Sequence, residues 1–359
     1  MSTALVSRRA QWADALLPPL VALGVALVVG DVLMLSFGQS PRVVWGVLLE
    51  GTWGNAYGAG QVLYKATTLT CTGLAVAVAL RAGLFNIAAE SQLAAGGFGA
   101  AMAGLLLPSG VPALLAVPFC IGAAMTAGAA VGAVPGVLKA RTGANEVIVT
   151  ICLNFVVLAL LNWAVAEYLH VPDSLHTAPI NAGRVARFAD VNPAFRGSAA
   201  NLSVGVALLA IGATWFGLFR TTGGYAMRAV GLSPSAAEYG GISLGGTWTR
   251  AMIWSGALAG LGGVNYVLGY KYYYEEGFGF GAGFLGIAVA LVGRNHPVGV
   301  GIAALLFATL SQGGLAVNAL VPKQMMDVLQ AVVILAVVAS VPEVRRIVAA
   351  AVPRAKGDG

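Results

Sequence analysis

Charge is what this chain has least of. Only 9% of its 359 residues are Asp, Glu, Lys or Arg, where soluble domains carry about 25%. With 58% hydrophobic residues and a mean hydropathy of +0.83, little room is left for a soluble domain, and the chain reads as a polytopic membrane protein. Cysteine is scarce as well. Cys71, Cys120 and Cys152 each lie in an apolar run, with neither metal-ligand spacing nor a disulfide framework, so no metal site is expected. Histidine is confined to His170, His176 and His296, all outside the apolar runs, and there is no H-E-x-x-H pair. Gly60 to Thr67 lacks the second glycine of a G-x-x-x-x-G-K-[ST] phosphate loop, so ATP is not bound by that means. No nucleophile stands beside a positioned base, so no catalytic residue is assigned and an enzyme is disfavoured. The net charge of +6 comes from basic residues scattered at span ends, which is not a nucleic-acid signal.

Glycine is plentiful, with 49 residues, and small residues let membrane helices approach closely. Apolar runs separated by basic or turn residues give about ten spans, each needing about 20 residues to cross a core of about 30 Å. The first is Leu16 to Phe37, too long for a signal-peptide core. Phe284 to Gly293 is too short for a straight crossing. With both termini in the cytoplasm, most of the 20 basic residues fall inside, as the positive-inside rule requires. The expected fold is all-α, with two inverted repeats of about five spans. The first repeat is 15–170 and the second 200–341. An extracytoplasmic loop fills 171–199, a cytoplasmic loop 220–246, and a basic cytoplasmic tail 342–359.

Polar residues inside apolar runs are the informative ones. Asn86, Glu90 and Gln92 stand where lipid favours Leu or Val, and a carboxylate at the centre of a membrane helix costs about 3 kcal/mol. If this part is helical, Asn86 and Glu90 share a face. They then either pin a helix start or line and support a solute path. Glu146, Thr150 and Asn154 recur every four residues along span five, with the same two readings: a capped, cross-bonded helix or a wall of the path. Span two, about Tyr64 to Leu80, leads into Gly83-Leu-Phe-Asn, and span seven, Thr247 to Tyr270, into Gly277-Phe-Gly-Phe-Gly followed by Phe284. Paired interruptions at matching places in two halves point to a solute site. Phe85, Phe280 and Phe284 offer aromatic faces there. On the cytoplasmic loop, Ser233 is a good N-cap and Pro234 a good first residue for a short helix that Gly240-Gly241 ends.

Four stretches carry a specific resemblance: Arg81-Ala-Gly-Leu-Phe-Asn-Ile-Ala-Ala-Glu-Ser-Gln, Gly143-Ala-Asn-Glu-Val-Ile-Val-Thr-Ile-Cys-Leu-Asn, Gly231-Leu-Ser-Pro-Ser-Ala-Ala-Glu-Tyr-Gly-Gly-Ile and Gly286-Ile-Ala-Val-Ala-Leu-Val-Gly-Arg-Asn-His-Pro. In this order, over about residues 15–345, the chain resembles permease subunits of bacterial nucleoside-type ABC importers, in the broad group of ribose and branched-chain amino-acid permeases. It departs at Ala88 and Ser91, where the family often has glycine, which stiffens the break after Gly83. The resemblance implies a multi-pass protein of the bacterial inner membrane, and the paired interruptions and intraspan polar groups give Phe85, Asn86, Glu90, Gln92, Asn154, Phe280 and Phe284 as the expected translocation path. The resemblance also implies that Ser233, Pro234, Ala236, Ala237, Glu238 and Tyr239 form a coupling helix on a cytoplasmic ATPase. Further implied partners are a second permease chain in a heterodimer and an extracytoplasmic substrate-binding protein. ATP and Mg would sit on the ATPase, with no cofactor on this chain and no nucleic acid. A simple-sugar or other purine-related substrate is the alternative within the family. From another class, an ion-coupled secondary transporter would need a coupling carboxylate, for which Glu90 and Asp327 are available, but has no use for a capped cytoplasmic helix.

Overall fold

A computed structural model describes residues 24–25, 27–279, 281–322 and 324–351, with side chains described up to 337. The start of the expected first span, Phe280 and the end of the basic tail lie outside the described residues. The described part is helical, with only isolated β-bridges besides. Six of its helices are long and apolar enough to cross a membrane, or seven if one bent pair counts as a single span. This is the multi-pass architecture that the composition demands.

The chain divides into two compact units, Thr52–Thr309 and the described part of Met1–Gly51 with Leu310–Gly359. In the smaller unit, α1 (Leu27–Ser36) and α2 (Pro41–Thr52) meet at a bend of 114°. Gly38 takes the left-handed conformation there, with φ +73. Asp31, an intraspan carboxylate, accepts a 2.8 Å hydrogen bond from Trp45 Nε1. Met34, Val44 and Leu48 pack with Val317, Val321, Met326 and Leu329 from the later end of the chain. The last helix, α14 (Gln324–Ala351), continues past the expected span end at Val341.

The larger unit holds α3 (Ala56–Arg81), α4 (Ala89–Leu106), α5 (Ala113–Thr142), α6 (Glu146–Ala164), the short α7 (Phe188–Val191), α8 (Ser203–Arg220), α9 (Thr222–Leu232), α10 (Pro234–Tyr239), α11 (Leu244–Tyr266), α12 (Ala282–Val292) and most of α13 (Pro297–Ala316). Their starts follow local chemistry. Asn55 caps α3 through Gly58 N, Asn145 caps α6 through Val147 N and Ser243 caps α11 through Gly246 N. Gly143 ends α5 with φ +68.

The packing centre is α11, which lies against α3, α4 and α5. Against α5 the contact is made by glycines spaced four apart: a side chain on Gly128 or Gly132 would run into the backbone of Met252, Gly256 and Gly260. On the α4 side, Gly96 meets Gly260 and Gly263 meets Gly97. In lipid, helices gain little from apolar burial against one another, so close backbone approach supplies the attraction through dispersion. Within the polar segment between α6 and α8, bridges join His170 to Thr177 and Arg187 to Asn201, and a bridge from His176 to Glu275 ties it to the stretch after α11. Arg184 and Arg187 both stack on Tyr272.

Candidate functional site

Two interruptions face each other in the larger unit. The first separates α3 from α4 and contains Asn86, which is therefore not on a helix; the expected shared face of Asn86 and Glu90 does not form. Gly83 turns the chain with φ +73. A side chain there would press on the Cα of Gly231, at the end of α9. The second interruption is Gly277–Gly281, where Gly277, Gly279 and Gly281 all have positive φ (73, 65 and 85). These three glycines bring the chain round into the start of α12 without the strain a Cβ would impose.

The starts of α4 and α12 meet at Glu90. This residue lies in the first turn of α4 and is 2% exposed. Its Oε1 accepts from Gly281 N and its Oε2 from Gly283 N, both at 2.6 Å. Gly283 sits against the backbone of Ala89 and Glu90, an approach only glycine permits. Two helix N-termini thus converge on one carboxylate, where the peptide dipoles and free N–H groups favour negative charge. Charge-assisted bonds of this kind offset the cost of holding a carboxylate at membrane depth.

The break between α3 and α4 is held by side chains from three elements. Asn86 Nδ2 donates to Gln92 Oε1 at 2.8 Å and to Ser255 Oγ at 2.7 Å, while its Oδ1 accepts from Ala88 N at 3.0 Å. Ser255, on α11, donates onward to Ala75 O at 2.6 Å. From α6, Asn154 donates to Ile87 O at 2.9 Å and accepts from Ser91 N at 3.1 Å, and Thr150 Oγ1 accepts from Ile87 N at 3.3 Å. Asn86, Gln92, Thr150 and Asn154 are all buried. The residue at 91, serine where the resemblance leads one to expect glycine, bonds back to Ala88 O at 3.0 Å.

Of the sequence-designated path residues, Asn86, Glu90, Gln92 and Asn154 therefore come together with their polar groups engaged by protein. Phe85 is half-buried beside them, and Phe284, in the first turn of α12, is exposed. Ser255 was not singled out in the sequence, and neither was a second buried polar group. There Asn265 Nδ2 bonds Tyr64 O and Thr68 Oγ1 at 2.8 and 2.9 Å, and Asn201 Nδ2 reaches Asn265 Oδ1 at 2.9 Å. An asparagine inside an apolar span was signal enough for Asn265; Ser255 had none.

The short helix α10 forms where the loop chemistry places it. Ser233 caps it through Ala236 N at 3.4 Å, Pro234 opens it and Gly241 follows it with φ +81. Ala237 is buried, turned into the protein, whereas Ala236 and Glu238 are exposed and Tyr239 is 98% exposed. Leu232, just before the cap, is 88% exposed.

A buried polar frame around two helix breaks thus lies among helices long and apolar enough to cross a membrane, as in a multi-pass membrane protein. Residues 58–338 match the family described as "Branched-chain amino acid transport system / permease component", and the chain belongs to that family. It is 37% identical to the guanosine ABC transporter permease protein NupP of Bacillus subtilis, over 90% of this chain and 93% of that one. It is 34% identical to the nucleoside ABC transporter permease protein NupB of Lactococcus lactis, over 89% of each. It is also 34% identical to the glucose ABC transporter permease protein TsgB13 of Haloferax volcanii, over 90% of this chain and 87% of that one. No solved structure matches the chain.

Proposed function

We propose that this chain is one permease subunit of an ATP-binding-cassette importer in the bacterial inner membrane, and that it carries nucleosides or related uncharged compounds. The observation that supports an uncharged solute is the placement of Glu90. The two helix N-termini that would attract an anionic solute already hold a carboxylate of the protein. Relatives named for guanosine and nucleoside point to the same class. A relative named for glucose makes a simple sugar the second reading.

In this proposal the two breaks lie beside the solute path, where the inverted repeats meet. Asn86, Glu90, Gln92 and Asn154 form its frame, and Phe85 and Phe284 supply aromatic wall on which a base or sugar ring stacks. The commitment of both Glu90 oxygens removes one of the two candidate carboxylates of an ion-coupled carrier, leaving Asp327, since a coupling carboxylate must be free to exchange its ion. Ser233 to Tyr239 is the coupling helix. Its partners are a cytoplasmic ATPase that holds ATP and Mg, a second and different permease chain, and an extracytoplasmic binding protein. The test is reconstitution of the complex in vesicles, with uptake of labelled guanosine and of glucose followed in the presence and absence of ATP. Uptake of guanosine that depends on ATP is expected. Uptake driven by an ion gradient with no ATPase present overturns the reading.

A further inference from the structure

We infer that the ends of α3, α8 and α9, with the turn before α13, form a binding site for an anionic phospholipid. Arg81, the last residue of α3, and Arg228, on α9, both stack on the ring of Phe219 near the end of α8, with guanidinium carbons 5.6 and 5.2 Å from its centre. The imidazole of His296 lies 5.6 Å from the same ring. Arg81 Nε donates to Asn295 O at 3.0 Å. Two like charges thus share one ring, with no carboxylate paired to either among the described residues.

The local hydrogen bonding is incomplete as well. Of the four buried side-chain polar atoms left without a partner among the described residues, two are here: Arg228 Nε and Asn295 Oδ1. Such orphans are rare in native proteins and call for a missing partner. A phosphate fits, because guanidinium forks match its oxygens and its charge relieves the repulsion between the arginines.

The source of the phosphate is indicated by what lies beneath. Between α3, α8 and α13 runs an apolar groove of about 430 Å³, lined among others by Thr67, Thr70, Ala207, Ile211, Val298 and Gly301. The same three helices that end or begin at the arginines form its walls. Val298 is two residues beyond His296, and Ile211 lies about 12 Å along α8 from Phe219 at 1.5 Å per residue. An acyl chain in this groove leaves its head at Arg81 and Arg228. Next to it Arg220 rests on Trp215, 5.4 Å from the ring centre, an arrangement suited to the headgroup layer. Basic recesses between membrane helices are where anionic headgroups are held.

The test uses the full chain with its copurifying partners, stripped of lipid in detergent and returned to vesicles of phosphatidylcholine with or without phosphatidylglycerol. Phosphatidylglycerol retained per chain after re-extraction is measured by mass spectrometry. The double variant Arg81→Gln with Arg228→Gln should lower it about thirtyfold, from the two lost charges. Ala207→Phe, which fills the groove and leaves the arginines in place, should lower it to a similar degree, and Arg228→Lys should retain most of it. Unchanged retention in the first two variants overturns the proposal. So does equal thermal protection by millimolar inorganic phosphate in phosphatidylcholine vesicles, which would mark a free-anion site. Loss of the ATPase from the double variant with lipid retention intact would assign the arginines to a protein interface and overturn it equally.

Discussion

The carboxylate of Glu90 and the backbone of Gly281 and Gly283 join the two helix breaks, with both bonds at 2.6 Å. Residues about half the chain apart in sequence are thereby fixed to each other at the starts of α4 and α12. A change at this point should be felt in both halves.

Glu90→Gln keeps the shape but sets an amide N–H₂ against a backbone N–H. One charge-assisted bond is lost and one donor is left facing a donor. The expected loss is about 2–3 kcal/mol, read as a lower midpoint of thermal unfolding in detergent, with transport falling in parallel. An unchanged midpoint would show that the two N–H groups find other partners.

Asn154→Leu removes the side chain that holds Ile87 O and Ser91 N. Two backbone groups then lose their partners, at about 1–3 kcal/mol each where they stay out of reach of other donors and acceptors. The break should loosen while α6 persists. Hydrogen exchange of residues 84–91 should accelerate, with exchange of α6 unchanged. Asn86→Leu with Glu90→Leu should abolish uptake; uptake that survives would remove these residues from the path.

Gly256→Ala places a methyl group against Gly128 O and Gly132 Cα, both on α5. The neighbours are backbone atoms and cannot rotate away. Overpacking of this kind costs about 1–3 kcal/mol, and Gly256→Leu should prevent accumulation of folded protein. Fluorescence-detected size-exclusion profiles report both outcomes.

The proposed role of α10 as a coupling helix is best probed on its outward side. Ala237 faces inward, so a bulky residue there disturbs the protein itself. Ala236→Trp, Glu238→Lys and Tyr239→Ala act on exposed positions. They should weaken copurification of the ATPase, or release its hydrolysis from control by substrate, without lowering the unfolding midpoint. Unchanged association and unchanged stimulation in all three would leave α10 as an ordinary connector.

What was legible in the sequence was what depends on near neighbours. The Ser233–Pro234 start of α10, the glycine-made turn before α12 and the break after Gly83 follow from caps and backbone freedom over a few residues. The intraspan Asn86, Glu90 and Gln92 announced themselves by being costly in lipid. Their partners did not. That Asn154 would grip Ile87 and Ser91, or that Ser255 would complete the bonding of Asn86, depends on contacts 63 and 169 residues apart. Serine in a small-residue helix carries no pattern of its own. The glycine stripes of α5 and α11 were visible only as abundance, because four-residue spacing says that a helix is smooth on one side and not which helix lies there. Asp31 passed unnoticed in the first apolar run, although its bond to Trp45 gives it the same logic as Glu90.

The seat of Gly83 on Gly231 has a mechanical consequence. Arg81 O, Gly83 and Gly231 touch through main chain alone, two residues before the cap of α10. A joint between side chains has slack, since rotamers shift before backbones do. A joint between two bare backbones has almost none, because packed main chain is nearly incompressible. A displacement of α9 would therefore reach residues 82–88 as movement of main chain, with little of it taken up by side-chain rearrangement.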